Sequence, residues 1–248
     1  MIIVKSKQEI ELMRESGKVT GHILKAVKDI IKPGVSTQDI DEFVEAIILS
    51  YNMIPAFKGY GGFPASACVS INEEVVHGIP SKERILAEGD IVSVDVGCIY
   101  KGYFSDAART YGVGEISHDA ANLIEVTEAS FYEGLKYCRP GQRLGDISHG
   151  IQKKAEEAGY SVIRDFVGHG IGREMHEDPQ IPNYGVAGRG PRLEAGMVFA
   201  IEPMIAQGDY EVEVLLNNWT VVTLDGKLSA HYENTVVITD GEPELLTC

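Results

Sequence analysis

One spacing of 107 residues relates the first half of the chain to the second half. At this shift Lys32-Pro33-Gly34 falls on Arg139-Pro140-Gly141, and Asp95 falls on Glu202. Other matches at the same shift are Val19-Thr20 with Val126-Thr127, Asp39-Ile40 with Asp146-Ile147, Leu86 with Leu193, and Gly89 with Gly196. Two amphipathic helix pairs can match by chance, but an ordered series at one spacing is typical of an internal repeat. We therefore predict a duplicated helix–helix–strand unit with a pseudo-twofold axis, where each half supplies one acid to a shared site.

The predicted elements follow the repeat. Ser6 and Glu9 have the spacing of a capping box, and Lys32-Pro33-Gly34 is a stop signal after the first helix. Apolar periodicity predicts helices at 6–31, 37–51, 117–138 and 143–158, strands at 67–71, 91–99 and 103–113, and mostly strands and loops from 162 to 239. No low-complexity linker divides the sequence. We predict one domain over residues 1–248, with pseudo-repeats at about 6–112 and 113–240.

Charge and cysteine usage narrow the class of partner and the compartment. The chain has 22 Lys+Arg against 37 Asp+Glu, a net charge of −15. A DNA-binding or membrane-surface protein needs a large basic face, so neither DNA nor a membrane is an expected partner. There is no apolar run of the roughly 18 residues that a membrane span needs and no secretory signal. The 4 cysteines are scattered, as free thiols in a reducing cytosol are, so we expect a cytoplasmic protein.

Two acids lie in adjacent predicted strands. Asp95 interrupts an apolar strand, and Asp106 lies on the strand that returns after a turn near residues 100–102. A hairpin that turns at Tyr100-Lys101 places the two carboxylates directly opposite each other, and a turn one residue later makes them diagonal neighbours on one face. Two ionised carboxylates so close need a cation between them. The alternative is a solvent-facing pair on an exposed sheet face.

Further acids and histidines extend this pattern. Glu202 and Glu233 also stand in or beside apolar strands, and His169 is flanked by glycines with His176 seven residues on. We interpret the remaining histidines as surface or packing residues; they are His22, His118, His149 and His231. A thiol-free set of carboxylates and imidazoles suits Mn²⁺, Fe²⁺, Co²⁺ or Zn²⁺. Four carboxylates exceed what one catalytic ion usually takes, so the set favours two ions bridged by shared carboxylates.

The sequence motifs around these residues resemble those of the type I methionine aminopeptidases, which are members of the pita-bread metallopeptidases. The matching stretches are Gly59-Tyr60-Gly61-Gly62-Phe63-Pro64, Ser70-Ile71-Asn72-Glu73, Val76-His77-Gly78-Ile79-Pro80, Gly89-Asp90-Ile91-Val92 through Asp95, Gly168-His169-Gly170-Ile171-Gly172 to His176-Glu177, and Gly196-Met197 through Ile201-Glu202-Pro203-Met204. The resemblance covers nearly the whole chain. It implies an α+β pita-bread fold, a curved antiparallel sheet with two pairs of outer helices and a pseudo-twofold repeat.

The resemblance also implies a reaction. The family removes the initiator methionine from peptides with a small second residue, through attack by a metal-bridging water or hydroxide. Transferred to this sequence, the family's ligand pattern implies that Asp95 binds one ion and that His169 and Glu202 bind the other. It implies that Asp106 and Glu233 bridge the two ions. The implied ions are cobalt, manganese, iron(II), zinc or nickel. His77 and His176 are implied to contact the substrate amide and stabilise the tetrahedral intermediate, and Glu202 to shuttle the proton.

The same resemblance implies a pocket for the methionine side chain. Its residues are Phe57, Tyr60, Phe63, Cys68, His77, Met175, His176 and Trp219. A linear thioether suits an aromatic, soft-sided slot. Met175 stands where an aromatic is usual and Phe57 where many relatives have a smaller residue, so both bear on pocket width. The resemblance implies, more weakly, a site for one monovalent cation at the loop around Asn72 and Ser229.

Two other functions fit the same pattern. The proline-directed aminopeptidases share the five metal ligands but usually add an N-terminal domain, which is not seen before the first helix here. Non-catalytic peptide-binding relatives tend to lose ligands, and all five positions stand in this chain. The family further suggests a monomer that acts on the N-termini of nascent polypeptides. The acidic balance favours at most a transient association with ribosomes.

Overall fold

The four helices lie within the ranges that the sequence predicts. They are α1 (Lys7–Ile30), α2 (Thr37–Ser50), α3 (His118–Leu135) and α4 (Leu144–Glu157), in a computed structural model that describes residues 1–248. Ser6 and Glu9 form both hydrogen bonds of a capping box at α1, and Ser36 caps α2 in the same way. All four predicted helices are confirmed. None of them is both long and apolar enough to cross a membrane.

All strand pairs in the structure are antiparallel. The strands are β1 (Ile54–Pro55), β2 (Ala67–Ile71), β3 (Glu74–Val76), β4 (Ile91–Tyr100), β5 (Tyr103–Gly112), β6 (Ser161–Val162), β7 (Gly168–Gly170), β8 (Glu177–Ile181), β9 (Val198–Ile201), β10 (Met204–Ala206), β11 (Val212–Val214), β12 (Val221–Thr223), β13 (Ser229–His231), β14 (Asn234–Val237) and β15 (Glu244–Leu245). The predicted strands at 67–71, 91–99 and 103–113 are confirmed. One sheet contains β1, β2, β4 and β5, and another runs in the order β15-β14-β9-β7-β8.

The 107-residue spacing is visible in the contacts of the folded chain. Helices α2 and α4 begin and end 107 residues apart. An isolated bridge joins Ser36 to Ile85, and its counterpart joins Arg143 to Arg192 at the same shift. The Gly34 amide donates to the Leu86 carbonyl, and the Gly141 amide donates to the Leu193 carbonyl. The two halves therefore repeat the same helix-to-loop connections, while the assignment of residues 1–248 to a single domain stays a prediction.

Each helix pair covers one end of the strands that carry the acids. Apolar residues of α1 and α2 pack in one buried cluster with β2 and β4, around residues such as Ile40 and Val94. Ile147 and Ile151 of α4 pack in a second cluster with Phe199 of β9. The helices thus bury the back of β4 and β9, and the opposite side of these strands is left for polar side chains.

Gly17 lies where helix α1 packs closely against the C-terminal segment of the chain. A Cβ at this position would lie 2.2 Å from the backbone oxygen of Leu246. Alanine usually stabilises a helix interior by about 1 kcal/mol relative to glycine. Here we expect the opposite sign, because Gly17→Ala forces α1 off the C-terminal strand at a cost of about 1–3 kcal/mol.

Urea denaturation would measure the change in free energy of unfolding. Lys18→Ala, at an exposed neighbouring position of the same helix, is the matched control. A Gly17→Ala protein as stable as the control would contradict the packing argument.

Candidate metal centre and active site

The β4–β5 hairpin brings the first two acids together. Lys101 and Gly102 are its two turn residues, both with positive φ (49° and 81°), so Tyr100 pairs with Tyr103. Two positive φ values give the turn that matches the strand twist. In this register Asp95 pairs with Ala108 and Asp106 pairs with Gly97. The register with the two acids directly opposite was wrong, and the alternative, one residue later, is confirmed.

Glu233 reaches the hairpin from the other half of the chain. Its amide donates to the Ala108 carbonyl (3.0 Å), and the Ala108 amide donates back to the Glu233 carbonyl (3.4 Å). Two residues further along each segment, the Asp106 amide donates to Thr235 Oγ1 (2.9 Å), which donates to the Asp106 carbonyl (2.8 Å). These bonds join β5 to the start of β14 and place Glu233 beside the two aspartates.

The last two residues of the set come from β7 and the end of β9. His169 pairs with Ala200, and Glu202 follows the last residue of β9. His169 Nδ1 donates to the Gly170 carbonyl (2.9 Å), which leaves the Nε2 lone pair free. Nε2 lies 3.5 Å from Glu202 Oε1. The structure therefore brings all five sequence-predicted residues to one place, with the imidazole in the tautomer that a metal needs.

The four carboxylates lack a lysine or arginine partner at ion-pair distance. None forms an ion pair with lysine or arginine; their short contacts to basic residues are those of Glu202 with His169 and of Glu233 with His231. Arg109 donates instead to backbone carbonyls and to Asn234. Three of their buried oxygens have no hydrogen-bond partner; these are Asp95 Oδ1, Asp106 Oδ1 and Glu233 Oε1. Unpaired buried carboxylate oxygens are costly unless a metal takes them up.

Burial raises the pKa of every carboxyl group in this cluster, and repulsion between carboxylates adds to the shift at three of them. Burial raises the pKa of Asp95 to about 7. The pKa values of Asp106, Glu202 and Glu233 are raised well above the ordinary range, first by burial and then by the neighbouring carboxylates. Burial lowers the pKa of His169 to about 4, with His176 adding to the effect, so its ring is neutral. Ligand atoms of Asp106, His169 and Glu233 lie within 4.8 Å of one another, and the whole donor set fits divalent ions.

Two further histidines flank the carboxylates. His77 has a φ of 60°, a left-handed conformation that is uncommon outside glycine and is often found at functional sites. Strands β3 and β12 hold it there, since Val76 pairs with Val221 and Thr220 Oγ1 donates to the His77 carbonyl. The rings of His169 and His176 are 4.4 Å apart between centroids. Both His77 and His176 therefore face the same cavity as the acids.

Tyr60 fixes the orientation of His176. Its hydroxyl lies 2.7 Å from His176 Nδ1, and burial lowers the pKa of His176. A hydroxyl that donates to Nδ1 leaves the ring proton on Nε2, which then serves as a donor toward the cavity. We expect Tyr60→Phe to lower kcat for peptide cleavage by about tenfold, the equivalent of about 1.4 kcal/mol for one hydrogen bond.

Steady-state kinetics and the ¹⁵N chemical shifts of His176 would measure the effect of Tyr60→Phe. Tyr51→Phe is the matched control, because Tyr51 also packs edge-on against a histidine (His22, ring centroids 5.9 Å apart) without a hydrogen bond. An unchanged kcat together with an unchanged His176 tautomer would refute this role of the hydroxyl.

One cavity contains the acids, the two histidines and the predicted methionine pocket. The predicted pocket residues all line it, and they are Phe57, Tyr60, Phe63, Cys68, His77, Met175, His176 and Trp219. Phe63 and Trp219 meet edge to face, with centroids 5.2 Å apart. Sequence reasoning missed Phe166 and Val167, which also line the cavity. They lie just before His169, and that proximity was the only available signal.

Sequence reasoning also missed His231, which it interpreted as a surface or packing residue. Its side chain is buried (2% exposed), and its Nε2 lies 3.5 Å from Glu233 Oε2. Ligand atoms of Asp95, His231 and Glu233 lie within 4.8 Å of one another. The only sequence signal was its position two residues before Glu233.

Asn72 and Ser229 are neighbours away from the cavity. The Ser229 amide donates to the Asn72 carbonyl (2.9 Å), and Asn72 Nδ2 donates to Asp90 Oδ1 (2.8 Å). Asn72 has a positive φ of 57°. The two loops predicted to share a monovalent cation are therefore adjacent, and the cation itself stays a prediction.

Comparison with known proteins agrees with this geometry. The model of metallopeptidase family M24 matches residues 11–240. A methionine aminopeptidase of Clostridium acetobutylicum is 60% identical over 247 residues, which cover 100% of this chain and 99% of that protein. The crystal structure of methionine aminopeptidase from Thermotoga maritima has a TM-score of 0.98 at 50% identity, covering 100% of this chain and 99% of that one. Prolidase from Pyrococcus furiosus has a TM-score of 0.78 at 24% identity, covering 99% of this chain and 65% of that one, a likeness of fold alone. The predicted pita-bread fold is confirmed, and the chain belongs to metallopeptidase family M24, a family of metal-dependent peptidases.

Proposed function

We propose that this protein is a methionine aminopeptidase that removes the N-terminal methionine from peptides with a small second residue. The observation that carries the proposal is the single cavity in which a five-residue carboxylate and imidazole set adjoins an apolar, aromatic slot. Membership of family M24 and the relatives named methionine aminopeptidase support it. The substrates are the N-termini of proteins and peptides.

The same five residues are proposed to hold two divalent metal ions. Asp95 would hold one ion, His169 and Glu202 would hold the other, and Asp106 and Glu233 would be shared by both. Their unpartnered oxygens and the free Nε2 of His169 support this assignment. Such ions would supply an activated water near neutral pH and would polarise the scissile carbonyl. Cobalt, manganese, iron(II), zinc and nickel all suit this donor set.

The remaining polar side chains are proposed to handle charge and protons. Glu202 accepts a proton from the nucleophile and passes it to the leaving amine, as its position in the wall of the cavity favours. His176 donates from Nε2 to the developing oxyanion, in the orientation that Tyr60 sets. Burial lowers the pKa of His77 to about 4, so its ring is neutral and contacts the substrate amide as a hydrogen-bond partner.

The apolar end of the cavity selects the side chain. Phe57, Phe63, Cys68 and Met175 are buried in one apolar cluster against which Trp219 packs. A flexible thioether fits such a slot, where sulfur contacts aromatic rings. The substrate's free α-amine lies near Asp95, at the acidic end of the site, so an acetylated N-terminus is excluded.

We further propose a cytoplasmic monomer that meets nascent chains and associates at most transiently with ribosomes. The scattered cysteines and the net charge of −15 support this setting. One monovalent cation is proposed between the loops of Asn72 and Ser229, which the backbone hydrogen bond between them supports.

A peptide panel on chelator-treated protein tests the activity. Mn²⁺, Co²⁺ or anaerobic Fe²⁺ is added back, and the peptides are Met-Ala-Ser, Met-Leu-Ser, Ala-Pro-Ser and N-acetyl-Met-Ala-Ser. We expect metal-dependent cleavage of Met-Ala-Ser alone. Cleavage of Ala-Pro-Ser alone would assign a proline-directed activity, and no cleavage with any metal would assign a binding role.

A further inference from the structure

His231 stands out as a buried polar residue that the proposed mechanism does not use. Its backbone is fixed, since its amide donates to Thr110 Oγ1 (2.9 Å), which donates to its carbonyl (2.9 Å). It also pairs with Met204 across β13 and β10. Only 2% of its side chain is exposed, and Nε2 has no hydrogen-bond partner. A buried donor or acceptor without a partner costs about 1–3 kcal/mol, so a function for it is to be expected.

The neighbours of His231 offer the missing partners. Nε2 lies 3.5 Å from Glu233 Oε2, and ligand atoms of Asp95, His231 and Glu233 lie within 4.8 Å of one another. Asp95 Oδ1 and Glu233 Oε1 are buried without partners. One unpaired nitrogen therefore faces two carboxylates that have unpaired oxygens, and a small rotation of the ring or of Glu233 forms the hydrogen bond.

We propose that His231 is a positioning residue, which donates from Nε2 to the carboxylates of Asp95 and Glu233 and so orients them for the metal ion on the Asp95 side; this rests on the two-ion site of the proposed function. Asp95 and Glu233 line the active-site cavity, whereas His231 does not. The ring thus lies behind the carboxylates. A metal ligand would have to face the cavity.

The surroundings of the ring agree with a donor role, because the unpartnered Nε2 lies beside the carboxylates of Glu233 and Asp95. A proton on Nε2 points at carboxylate oxygens, whereas a lone pair there would be repelled by them. Partners that orient a ligand typically change metal affinity by about 10–100-fold. In the proposed site Asp95 is the one unshared ligand of its ion, whereas His169 and Glu202 both hold the other, so the Asp95-side ion is expected to bind second. Because His231 lies beside Asp95 and the shared Glu233, its larger effect falls on that second ion.

Metal titration of the full-length protein tests the proposal. Stripped wild type, His231→Ala, His231→Leu and His231→Gln are titrated with Mn²⁺ and with Co²⁺ by calorimetry, and His149→Ala at an exposed position is the control. We expect the second binding step to weaken by about 10–100-fold in the Ala and Leu variants. The first step changes less, because only the shared Glu233 connects it to His231, and Gln restores the second step because its amide still donates. Leucine fills the volume of the ring, and circular dichroism identifies which variants fold.

The outcomes separate this inference from the proposed function. Unchanged second-step affinity in a folded Ala or Leu variant would overturn the positioning role. X-ray absorption of the Co²⁺-loaded protein counts imidazole ligands, and a lower count in His231→Gln than in wild type would make His231 a ligand instead. A wild type that binds only one ion would refute the two-ion site itself, whatever the variants do.

Discussion

Replacing Glu202 with glutamine will lower kcat for Met-Ala-Ser cleavage by about 10²–10⁴-fold, the usual contribution of a general base. Glutamine keeps the shape of the side chain and one oxygen for the metal but cannot carry a proton. Glu202 lines the cavity, and its Oε1 lies 3.5 Å from His169 Nε2, so its carboxylate reaches the place where the nucleophile would be held. KM should change much less, because glutamine leaves the apolar slot intact.

Metal content must be measured alongside the rate for Glu202→Gln, because Glu202 also belongs to the proposed ligand set. Elemental analysis of the purified variant separates loss of metal from loss of the base. Glu194→Gln, at an exposed position, is the matched control. A fully metal-loaded Glu202→Gln enzyme with the kcat of the control would remove Glu202 from the proton-transfer step.

Stripping the metal will abolish cleavage and will make the stability of the protein fall as the pH rises above about 6.5. In the folded, metal-free state the pKa of Asp95 is about 7, and burial and the neighbouring carboxylates raise the pKa values of Asp106, Glu202 and Glu233 well above their ordinary range, so the acids keep their protons to a higher pH than in the unfolded chain. In the unfolded chain they lose them near their ordinary values of about 4. The folded state therefore binds more protons, and its free energy of unfolding decreases with rising pH.

At lower pH the buried histidines change the stability in the opposite direction to the acids. Burial lowers the pKa of His77 and of His169 to about 4, so between pH 4 and 6.5 the unfolded state binds their protons and stability rises with pH. Up to about pH 6.5 this increase in stability offsets the decrease that the acids cause. Above that pH only the acids continue to titrate, so the free energy of unfolding decreases as the pH rises further.

Thermal unfolding at pH 6.5 and at pH 8, with and without Mn²⁺, measures the effect. Bound metal neutralises the carboxylates and should remove the decrease, adding about 2.7 kcal/mol of stability at 100 times Kd. Metal-free Asp106→Asn, which deletes one of the raised groups, should lose less stability with pH than metal-free wild type. Identical pH dependence in all three samples would contradict the account of the carboxylate cluster.

The sequence predicted the elements and the chemistry of the cavity well, because both depend on local pattern. The capping box at Ser6 and apolar periodicity located the helices, and the antiparallel hairpin alone brought Asp95 near Asp106. The register was decided by the turn, where Lys101 takes a positive φ that the sequence does not indicate. A one-residue difference in the turn changed a direct pair into a diagonal pair.

The relation between the two halves could be inferred only in outline. The 107-residue spacing placed Asp95 and Glu202 in equivalent strands, and the bridges Ser36–Ile85 and Arg143–Arg192 repeat it in the fold. Glu233 has no counterpart at that shift in the sequence series. It reaches the centre because β14 pairs with β9 while its first residues bond to β5, a contact between segments about 125 residues apart.

The sequence by itself determined which chemistry is available, because the types of side chain and their setting in apolar strands indicated an oxygen-rich metal site. Only the tertiary structure decided which polar residues belong to it. His231 has no apolar pattern or glycine flank to distinguish it from His22 or His149, yet long-range pairing of β13 with β10 places it behind Asp95 and Glu233. Local pattern records the burial of a strand face, whereas the neighbours of a buried side chain depend on how distant strands pack.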